Sequence, residues 1–349
     1  MVERRAGRVV ALQANYCLVV LDRPGPDGQQ RLLCTRRTRL GKSGQRICVG
    51  DRVDVDGIDW PSARAAISAL EPRSSLLERP AVANVSRVVV VVAVREPSLD
   101  PLLLTRFLVT AEATGQSVQL VLTKADLLPE TELAAWCERV SGWGYPVTAI
   151  STLNGQGLES LRAGLVEAGI AVLCGPSGVG KSSLLNALLP DLELRVGNVS
   201  GRLQRGRHTT RHVELFPLGP KALLADSPGF NRPELPDDPG VLSQAFPELR
   251  RRLAESSCRF SNCRHQGDPG CAMGSDWDRH ALYGQCLREV EQRAEALAMA
   301  GQRLVGLRQR GSRLEPRLDP QLRRESRRRR RQELEDDLSA GISLPDPAD

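Results

Sequence analysis

Aromatic residues are scarce in this chain: Phe, Trp and Tyr make up 3% of its 349 residues, whereas 41% of the residues are hydrophobic. Its cores must therefore be built mainly from Val, Leu, Ile and Ala. Long apolar runs are missing as well, because none approaches the roughly 20 residues of a membrane-spanning helix. We therefore expect no membrane partner, and a chain of this length is expected to divide into two or three domains.

No secretory signal is expected either, because the first five residues, MVERR, lead into no apolar segment. The nine cysteines are an odd number and are spread over a long chain. Both features favour a reducing, cytoplasmic location, in which clustered cysteines are expected to bind metal rather than to form disulfides. The net charge of +6 is compatible with a nucleic-acid partner but is weak support for one by itself.

One stretch, GPSGVGKS at residues 175–182, has the spacing G-x-x-x-x-G-K-[ST]. It follows an apolar run at 170–174 and opens a helical pattern at 183–189, which is the context of a phosphate-binding loop. Its glycines let backbone N–H groups surround an anion, and the helix N-terminus adds its positive dipole. In such a loop Lys181 reaches the β- and γ-phosphates and Ser182 ligates Mg²⁺. The predicted nucleotide-contacting residues are Gly175, Pro176, Ser177, Gly178, Val179, Gly180, Lys181, Ser182 and Ser183.

A second motif, TKAD at residues 123–126, follows a strand-like run and resembles the N-K-x-D motif with which GTPases read guanine. Asp126 can accept hydrogen bonds from both N–H groups of the guanine edge, a pairing that adenine cannot offer. The stem of Lys124 can cover the base. Thr123 stands where asparagine is usual, so one amide contact is replaced or lost. After the next predicted strand, Ser151 lies where a further loop backs the base in GTPases.

Two segments after the phosphate loop are expected to complete a site for Mg²⁺ and the γ-phosphate. In the sequence RGRHTT at 205–210, a threonine can ligate Mg²⁺, and we favour Thr210 over Thr209. Asp226 opens a D-x-P-G turn, where it is expected near Mg²⁺ while the Gly229 N–H meets the γ-phosphate.

The residue after this turn is Phe230, which cannot orient an attacking water as the glutamine of many GTPases does. We therefore expect slow intrinsic hydrolysis until a partner completes the site. His208 is our candidate for positioning the water, and a loop residue without that role is the open alternative. The predicted catalytic residues are Lys181, His208, Thr210 and Asp226.

The N-terminal segment, residues 1–72, contains five short strand-like runs separated by turn residues, and this spacing favours an OB-fold β-barrel. The basic stretch 36–42 is either a solvated loop or a nucleic-acid contact, because OB-folds often bind oligonucleotides through their loops. Residues 71–80 are interpreted as a linker. The five strand-like runs are 7–12, 17–21, 31–34, 48–55 and 65–70.

The segment 80–234 alternates between strand-like and helix-like sequence, beginning with a β-branched run at 87–94. Such a run is typical of a strand buried on both faces of a parallel sheet, and the alternation predicts a doubly wound α/β domain. In conventional GTPases the phosphate loop precedes the base-reading motif. Here the order is reversed, which predicts a circularly permuted domain.

Four potential metal ligands lie within fourteen residues: Cys258, Cys263, His265 and Cys271. Three thiolates and one imidazole complete a tetrahedral zinc site without an open position, which favours a structural ion. Free thiols or a disulfide are the alternatives. The ligands lie in a predicted zinc-binding domain, 235–310, in which helical patterns at 236–253 and 281–307 flank the metal-binding loop. The tail, 311–349, contains a basic block and is interpreted either as a flexible, solvated segment or as an anchor to RNA phosphates.

The permuted order TKAD, GPSGVGKS, GRHTT and DSPGF behind an OB-like domain resembles the RsgA/YjeQ family of bacterial GTPases, which act in late maturation of the small ribosomal subunit. The resemblance extends to about residue 300. It implies a multidomain α/β protein with an N-terminal OB-fold β-barrel, a circularly permuted P-loop GTPase domain and a C-terminal α-helical zinc-binding domain. The spacing of the cysteines and histidine matches the zinc motif of the family, in which threonine also occurs at the position of Thr123.

From the residues and the resemblance together we expect a GTPase that uses GTP and GDP with Mg²⁺ and carries one structural Zn²⁺. Its expected partners are the small ribosomal subunit and its rRNA, which stimulate hydrolysis, and it is expected to be a monomer. The alternative is an RNA-binding module with a regulatory nucleotide site and negligible turnover. Comparing GTP hydrolysis with and without small subunits separates the two.

Overall fold

The structure is a computed structural model that describes residues 3–13, 15–37, 46–78, 80–189, 213–226, 232–302, 304–310 and 313–318; for Asp226 and from residue 297 onward it describes the backbone alone. The chain divides into two compact units, 1–290 and 291–349. None of the helices in the described ranges combines the length and the apolar character that crossing a membrane requires.

The N-terminal segment folds into a five-stranded barrel, as predicted. Its pairing order is β1–β2–β3–β5–β4, with β4 closing onto β1 and only the β3–β5 pair parallel. The barrel core is aliphatic, with Val9, Val19 and Leu32 fully buried, which agrees with the low aromatic content. The strands are β1 (Arg4–Gln13), β2 (Tyr16–Leu21), β3 (Arg31–Arg36), β4 (Arg52–Asp59) and β5 (Arg64–Leu70).

The interpretation of residues 71–80 as a linker was wrong. A two-stranded hairpin, β6 (Leu76–Glu78) with β7 (Ala81–Ala83), begins inside this stretch. Leu77 and Val82 are buried in a core shared by the barrel and the following domain. Three-residue strands are too short to show a period of two, so the sequence pattern could not reveal this hairpin.

The central domain is the predicted doubly wound sheet, with the order β10–β9–β8–β11–β13–β12. All of its neighbouring pairs are parallel except β12 with β13. Its six strands are β8 (Val85–Ala93), β9 (Ser117–Thr123), β10 (Val147–Ala149), β11 (Ile170–Cys174), β12 (Glu214–Pro217) and β13 (Leu223–Asp226).

Within the described part of this domain, four helices cover the two faces of the sheet: α1 (Pro101–Glu112), α2 (Glu130–Trp143), α3 (Leu158–Val166) and α4 (Lys181–Leu188). One apolar cluster joins the sheet to α1 and α2, and another joins it to α3 and α4. Alternate residues of β8 enter the two clusters, which explains the unbroken β-branched run. Because β9 and β11 both run parallel to β8, the loops after them lie at the same edge of the sheet.

Three helices follow: α5 (Pro239–Gln244), α6 (Pro247–Glu255) and α7 (His280–Gln302). A cluster that includes Phe246 and Tyr283 packs them against Val109 of α1. The helix predicted from the pattern at 281–307 was too long at its end. Helix α7 ends at Gln302, and a hairpin of β14 (Leu304–Arg310) and β15 (Arg313–Leu318) follows.

Candidate nucleotide site and metal centre

The phosphate loop connects β11 to α4, and its backbone requires glycine. Gly175 has a φ of +140°, and a Cβ placed on it would lie 2.0 Å from the Val91 carbonyl oxygen. Gly178 and Gly180 also have positive φ values, of +81° and +94°. These conformations are ones that side-chain-bearing residues rarely adopt. The loop therefore has the tightly curved backbone that an anion-binding site needs.

Lys181 is the first residue of α4, and its ammonium group lies over the loop. Its Nζ donates hydrogen bonds to the carbonyl oxygens of Gly175, at 2.8 Å, and Pro176, at 2.6 Å. Ser182 and Ser183 follow in the first helical turn and are partly exposed. The ammonium, the hydroxyls and the positive end of the helix dipole together fit a polyphosphate.

The turn predicted to read the base is joined directly to the phosphate loop by Thr123. Its side chain is 2% exposed, and its Oγ1 lies 2.5 Å from the carbonyl oxygen of Val179 and 3.2 Å from that of Val92. The hydroxyl therefore supports the phosphate loop. The sequence located Thr123 at the site but did not reveal this contact, which depends on β9 lying next to β8.

Substituting Thr123 by Val should weaken the expected binding of GDP about three- to tenfold, because an isosteric apolar side chain leaves the buried Val179 carbonyl without its donor. The measurement is the Kd for GDP by titration calorimetry. Thr148→Val, on the neighbouring strand β10, is the matched control. Equal Kd values in Thr123→Val and the parent chain would contradict this role.

Lys124 and Asp126 occupy the turn after β9. Lys124 has a left-handed backbone, with a φ of +57°, and its Nζ donates to the Glu96 carbonyl oxygen. Asp126 lies in the short turn Ala125–Leu127 and its side chain is exposed. The Ala125 N–H donates to Ile150 O at 3.0 Å, which fixes the turn to the end of β10. The carboxylate is therefore accessible to a ligand, and the backbone hydrogen bond to Ile150 holds its turn in place.

Ser151, also predicted to contact the nucleotide, is fully buried. Its hydroxyl oxygen accepts hydrogen bonds from the backbone N–H groups of Leu153, at 3.2 Å, and Asn154, at 3.4 Å. This side chain shapes the loop behind the base-reading turn. Its predicted direct contact with a nucleotide stays a prediction.

Three of the predicted site residues, His208, Thr210 and Gly229, lie outside the described residues, as does Phe230. Asp226 is the last residue of β13, where its backbone pairs with Leu173 of β11 and Glu214 of β12. The carboxyl end of β13 therefore lies next to that of β11, the strand that leads into the phosphate loop.

The predicted metal ligands converge. One ligand atom from each of Cys258, Cys263, His265 and Cys271 lies within 4.8 Å of the others. The Cys258 Sγ and His265 Nδ1 are 3.5 Å apart. Sulfur and nitrogen ligands on one tetrahedral Zn²⁺ should be about 3.6 Å apart, so this donor set fits zinc.

Backbone N–H groups around this cluster favour thiolates, whereas burial raises the pKa of the Cys263 thiol to about 11. The N–H groups of His265 and Ala272 donate to the sulfurs of Cys263 and Cys258, each at 3.4 Å. Burial opposes ionisation of Cys271, but backbone N–H groups, those of Met273 and Gly274 first, outweigh it and lower the pKa of this thiol. Burial lowers the pKa of His265 and so favours its neutral, ligating form.

A buried arginine joins the metal-binding segment to the central domain. Arg279 is 0% exposed and forms a two-point ion pair with Glu248, at 2.6 and 2.5 Å. Its guanidinium lies over the rings of Phe246, at 4.6 Å, and Trp143, at 4.7 Å. Sequence analysis missed this junction, because no local pattern links residue 279 to residue 143.

A second ion pair lies next to it. Arg139 donates to both oxygens of Asp278, at 2.7 and 2.8 Å, and the Trp143 indole N–H donates to the same carboxylate at 2.6 Å. The Arg139 guanidinium lowers the pKa of Asp278. Since the ionised form is favoured in the folded state, this contact adds stability at neutral pH, which is lost as the pH falls through the lowered pKa.

Comparison with known sequences gives consistent matches. The sequence model of the family described as RsgA GTPase matches residues 70–236. The chain is 58% identical over 285 residues to the small ribosomal subunit biogenesis GTPase RsgA of Synechococcus sp. (strain CC9605), covering 81% of this chain and 93% of that protein. It is 48% identical over 316 residues to the protein of the same name from Thermosynechococcus vestitus (strain NIES-2133 / IAM M-273 / BP-1), covering 89% of this chain and 90% of that protein.

Two solved structures share the architecture. YjeQ from Thermotoga maritima superposes with a TM-score of 0.67 at 30% identity, covering 83% of this chain and 99% of that one. YloQ, described as a circularly permuted GTPase, superposes with the same TM-score of 0.67 at 27% identity, covering 83% of this chain and 96% of that one.

Proposed function

This chain belongs to the RsgA GTPase family, and on that premise we propose that it hydrolyses GTP to GDP and phosphate while it assists late maturation of the small ribosomal subunit. The observation that carries the proposal is the hydrogen bond from Thr123 to Val179, which joins a guanine-reading turn to a phosphate loop. A nucleotide that spans the two loops contacts both motifs at once.

In the proposed complex the phosphates lie in the loop 175–182, with Lys181 turning from its carbonyl partners to the β- and γ-phosphates. The ammonium needs hydrogen-bond acceptors in either state, so phosphate oxygens replace the carbonyls without leaving it unpaired. Asp126 accepts from the guanine edge. When bound, Mg²⁺ neutralises charge on the phosphates; Ser182, Thr210 and Asp226 are proposed to hold it.

Asp126→Asn should weaken GDP binding about 100-fold, because the amide replaces one of the two carboxylate acceptors by a donor facing the guanine N–H groups. The same amide should improve binding of xanthosine diphosphate, whose 2-oxo group accepts from it. Competition with a fluorescent GDP analogue measures both affinities. Glu130→Gln, an exposed residue four positions along, is the control. An unchanged preference for guanine would contradict the assignment.

Hydrolysis is proposed to depend on the ribosomal partner. Phe230 stands where many GTPases place a glutamine, so the isolated protein is expected to turn over slowly, with His208 as the proposed water-positioning residue. The basic loop and tail are proposed to contact rRNA phosphates. A cytoplasmic monomer that binds small subunits in its GTP form and leaves after hydrolysis fits these features.

The decisive experiment measures GTP turnover with and without purified small subunits. We expect strong stimulation, and large subunits at the same concentration serve as the control for nonspecific rRNA effects. No stimulation together with retained RNA binding would favour the alternative, a binding module whose nucleotide site is regulatory.

The cysteine and histidine cluster is proposed to hold one structural Zn²⁺, since four protein ligands leave no position for a substrate. Cys263→Ser should lose the ion, and the segment 256–279 should become sensitive to proteolysis because metal binding and folding are coupled. Native mass spectrometry counts the zinc. Cys286→Ser, a buried cysteine outside the cluster, should retain it. A zinc-loaded Cys263→Ser protein would contradict the ligand assignment.

A further inference from the structure

The N-terminal barrel and the nucleotide-binding sheet form one continuous sheet, joined where β1 pairs with β12. At the junction Ala11 lies opposite Glu214, and Glu214 in turn lies opposite Asp226. Asp226 also pairs with Leu173, which leads into the phosphate loop. A single row of paired residues therefore runs from the barrel to the strand end that carries the predicted magnesium carboxylate.

A β-bulge in β1 lies directly beside this junction. Val9 pairs with Val19 of β2, but Ala11 pairs with Leu18, so Val10 is an extra residue. Successive side chains of a strand point to opposite faces of the sheet. Val9 packs inside the barrel, whereas Val10 packs into a different cluster, where it is 6% exposed.

The cluster that receives Val10 is shared by the two domains. It contains Val213 and Leu215, which flank Glu214, and Ala225, which precedes Asp226. Leu215 and Ala225 are directly paired across β12 and β13. Backbone pairing and side-chain packing thus both hold residues 225 and 226 in register with the barrel. Close-packed interiors transmit small displacements.

We propose that the barrel is a positioning element for the magnesium side of the nucleotide site and acts through Val10 and the row Ala11–Glu214–Asp226. This inference rests on the proposed binding of GTP with Mg²⁺ and assigns the barrel a part in it. Partner proteins often engage a sheet by adding a strand to its edge, and here the added strand comes from the same chain. Asp126 follows β9, and the strands β8, β11 and β13 separate β9 from β12 and the barrel. Movement of the barrel is therefore expected to leave guanine recognition unchanged.

The test compares Val10→Ala with Val19→Ala, which removes the same atoms from the barrel core alone. Release of a fluorescent GDP analogue is measured against free Mg²⁺ concentration, and again in excess EDTA. We expect the half-saturating Mg²⁺ concentration to rise at least about threefold in Val10→Ala, the size of effect typical of residues that couple two sites. Val19→Ala should keep the parent value, and all release rates should agree in EDTA.

Amide hydrogen exchange at 223–226 is the second readout and should accelerate in Val10→Ala only. Should Val10→Ala fail to fold, Val10→Thr keeps the volume and changes only the polarity of the contact. An unshifted Mg²⁺ dependence in a folded Val10 variant, or equal shifts in the Val10 and Val19 variants, would overturn the inference. An unsubstituted protein whose GDP release ignored Mg²⁺ would also overturn the inference, whereas one that bound neither GTP nor GDP would contradict the proposed function itself.

Discussion

Lys181→Ala is expected to reduce GTP turnover at least about 100-fold, the loss typical when a charge-stabilising donor is removed from a transition state. Lys181 begins α4 directly after the loop, and its ammonium already contacts the carbonyls of Gly175 and Pro176. No other side chain of the described loop can supply a positive charge there. Turnover with small subunits present, at saturating GTP, is the measurement.

The matched control is Lys221→Ala. Lys221 is exposed in the turn that precedes β13, so it lies at the edge of the sheet opposite the loops. Turnover and melting temperature should match the parent chain in this control. Because Lys181 is only partly buried, its substitution should leave the fold intact, which circular dichroism checks. Unchanged turnover in folded Lys181→Ala would rule out the assignment of the phosphate loop.

Glu248→Gln is expected to destabilise the protein by about 3 kcal/mol, because it leaves the buried Arg279 guanidinium without its counter-charge. The arginine is enclosed by aromatic rings, so water cannot take the place of the carboxylate. Denaturant unfolding followed by tryptophan fluorescence measures the change, and Trp143 and Trp277 lie in or beside this junction.

Glu255→Gln provides the control, since this exposed residue ends the same helix, α6. Its effect should stay within about 0.5 kcal/mol. The double variant Glu248→Gln with Arg279→Met should recover much of the lost stability, because it removes the unpaired buried charge. Equal destabilisation by Glu248→Gln and Glu255→Gln would show that the ion pair contributes nothing specific.

The candidate loop and metal cluster could be predicted from the sequence because the residues that form each of them lie close together along the chain. The phosphate loop needs glycine at positions 175, 178 and 180 and lysine at 181, and these requirements leave a pattern in consecutive residues. The four metal ligands lie within one short loop, so their spacing alone predicted the cluster that the structure contains. The strand and helix periods likewise predicted the barrel and the doubly wound sheet.

Contacts between distant segments left no such pattern. The role of Thr123 depends on which strand lies beside β9, and the burial of Arg279 depends on how α6 and α7 pack on α2. The junction of Ala11 with Glu214 joins residues about 200 positions apart, and nothing in either segment identifies the other. The sequence by itself thus determined the local motifs on which the proposed nucleotide and zinc sites rest. Tertiary structure alone decided what supports it, because long-range packing selects partners by shape and burial, not by neighbouring residues along the chain.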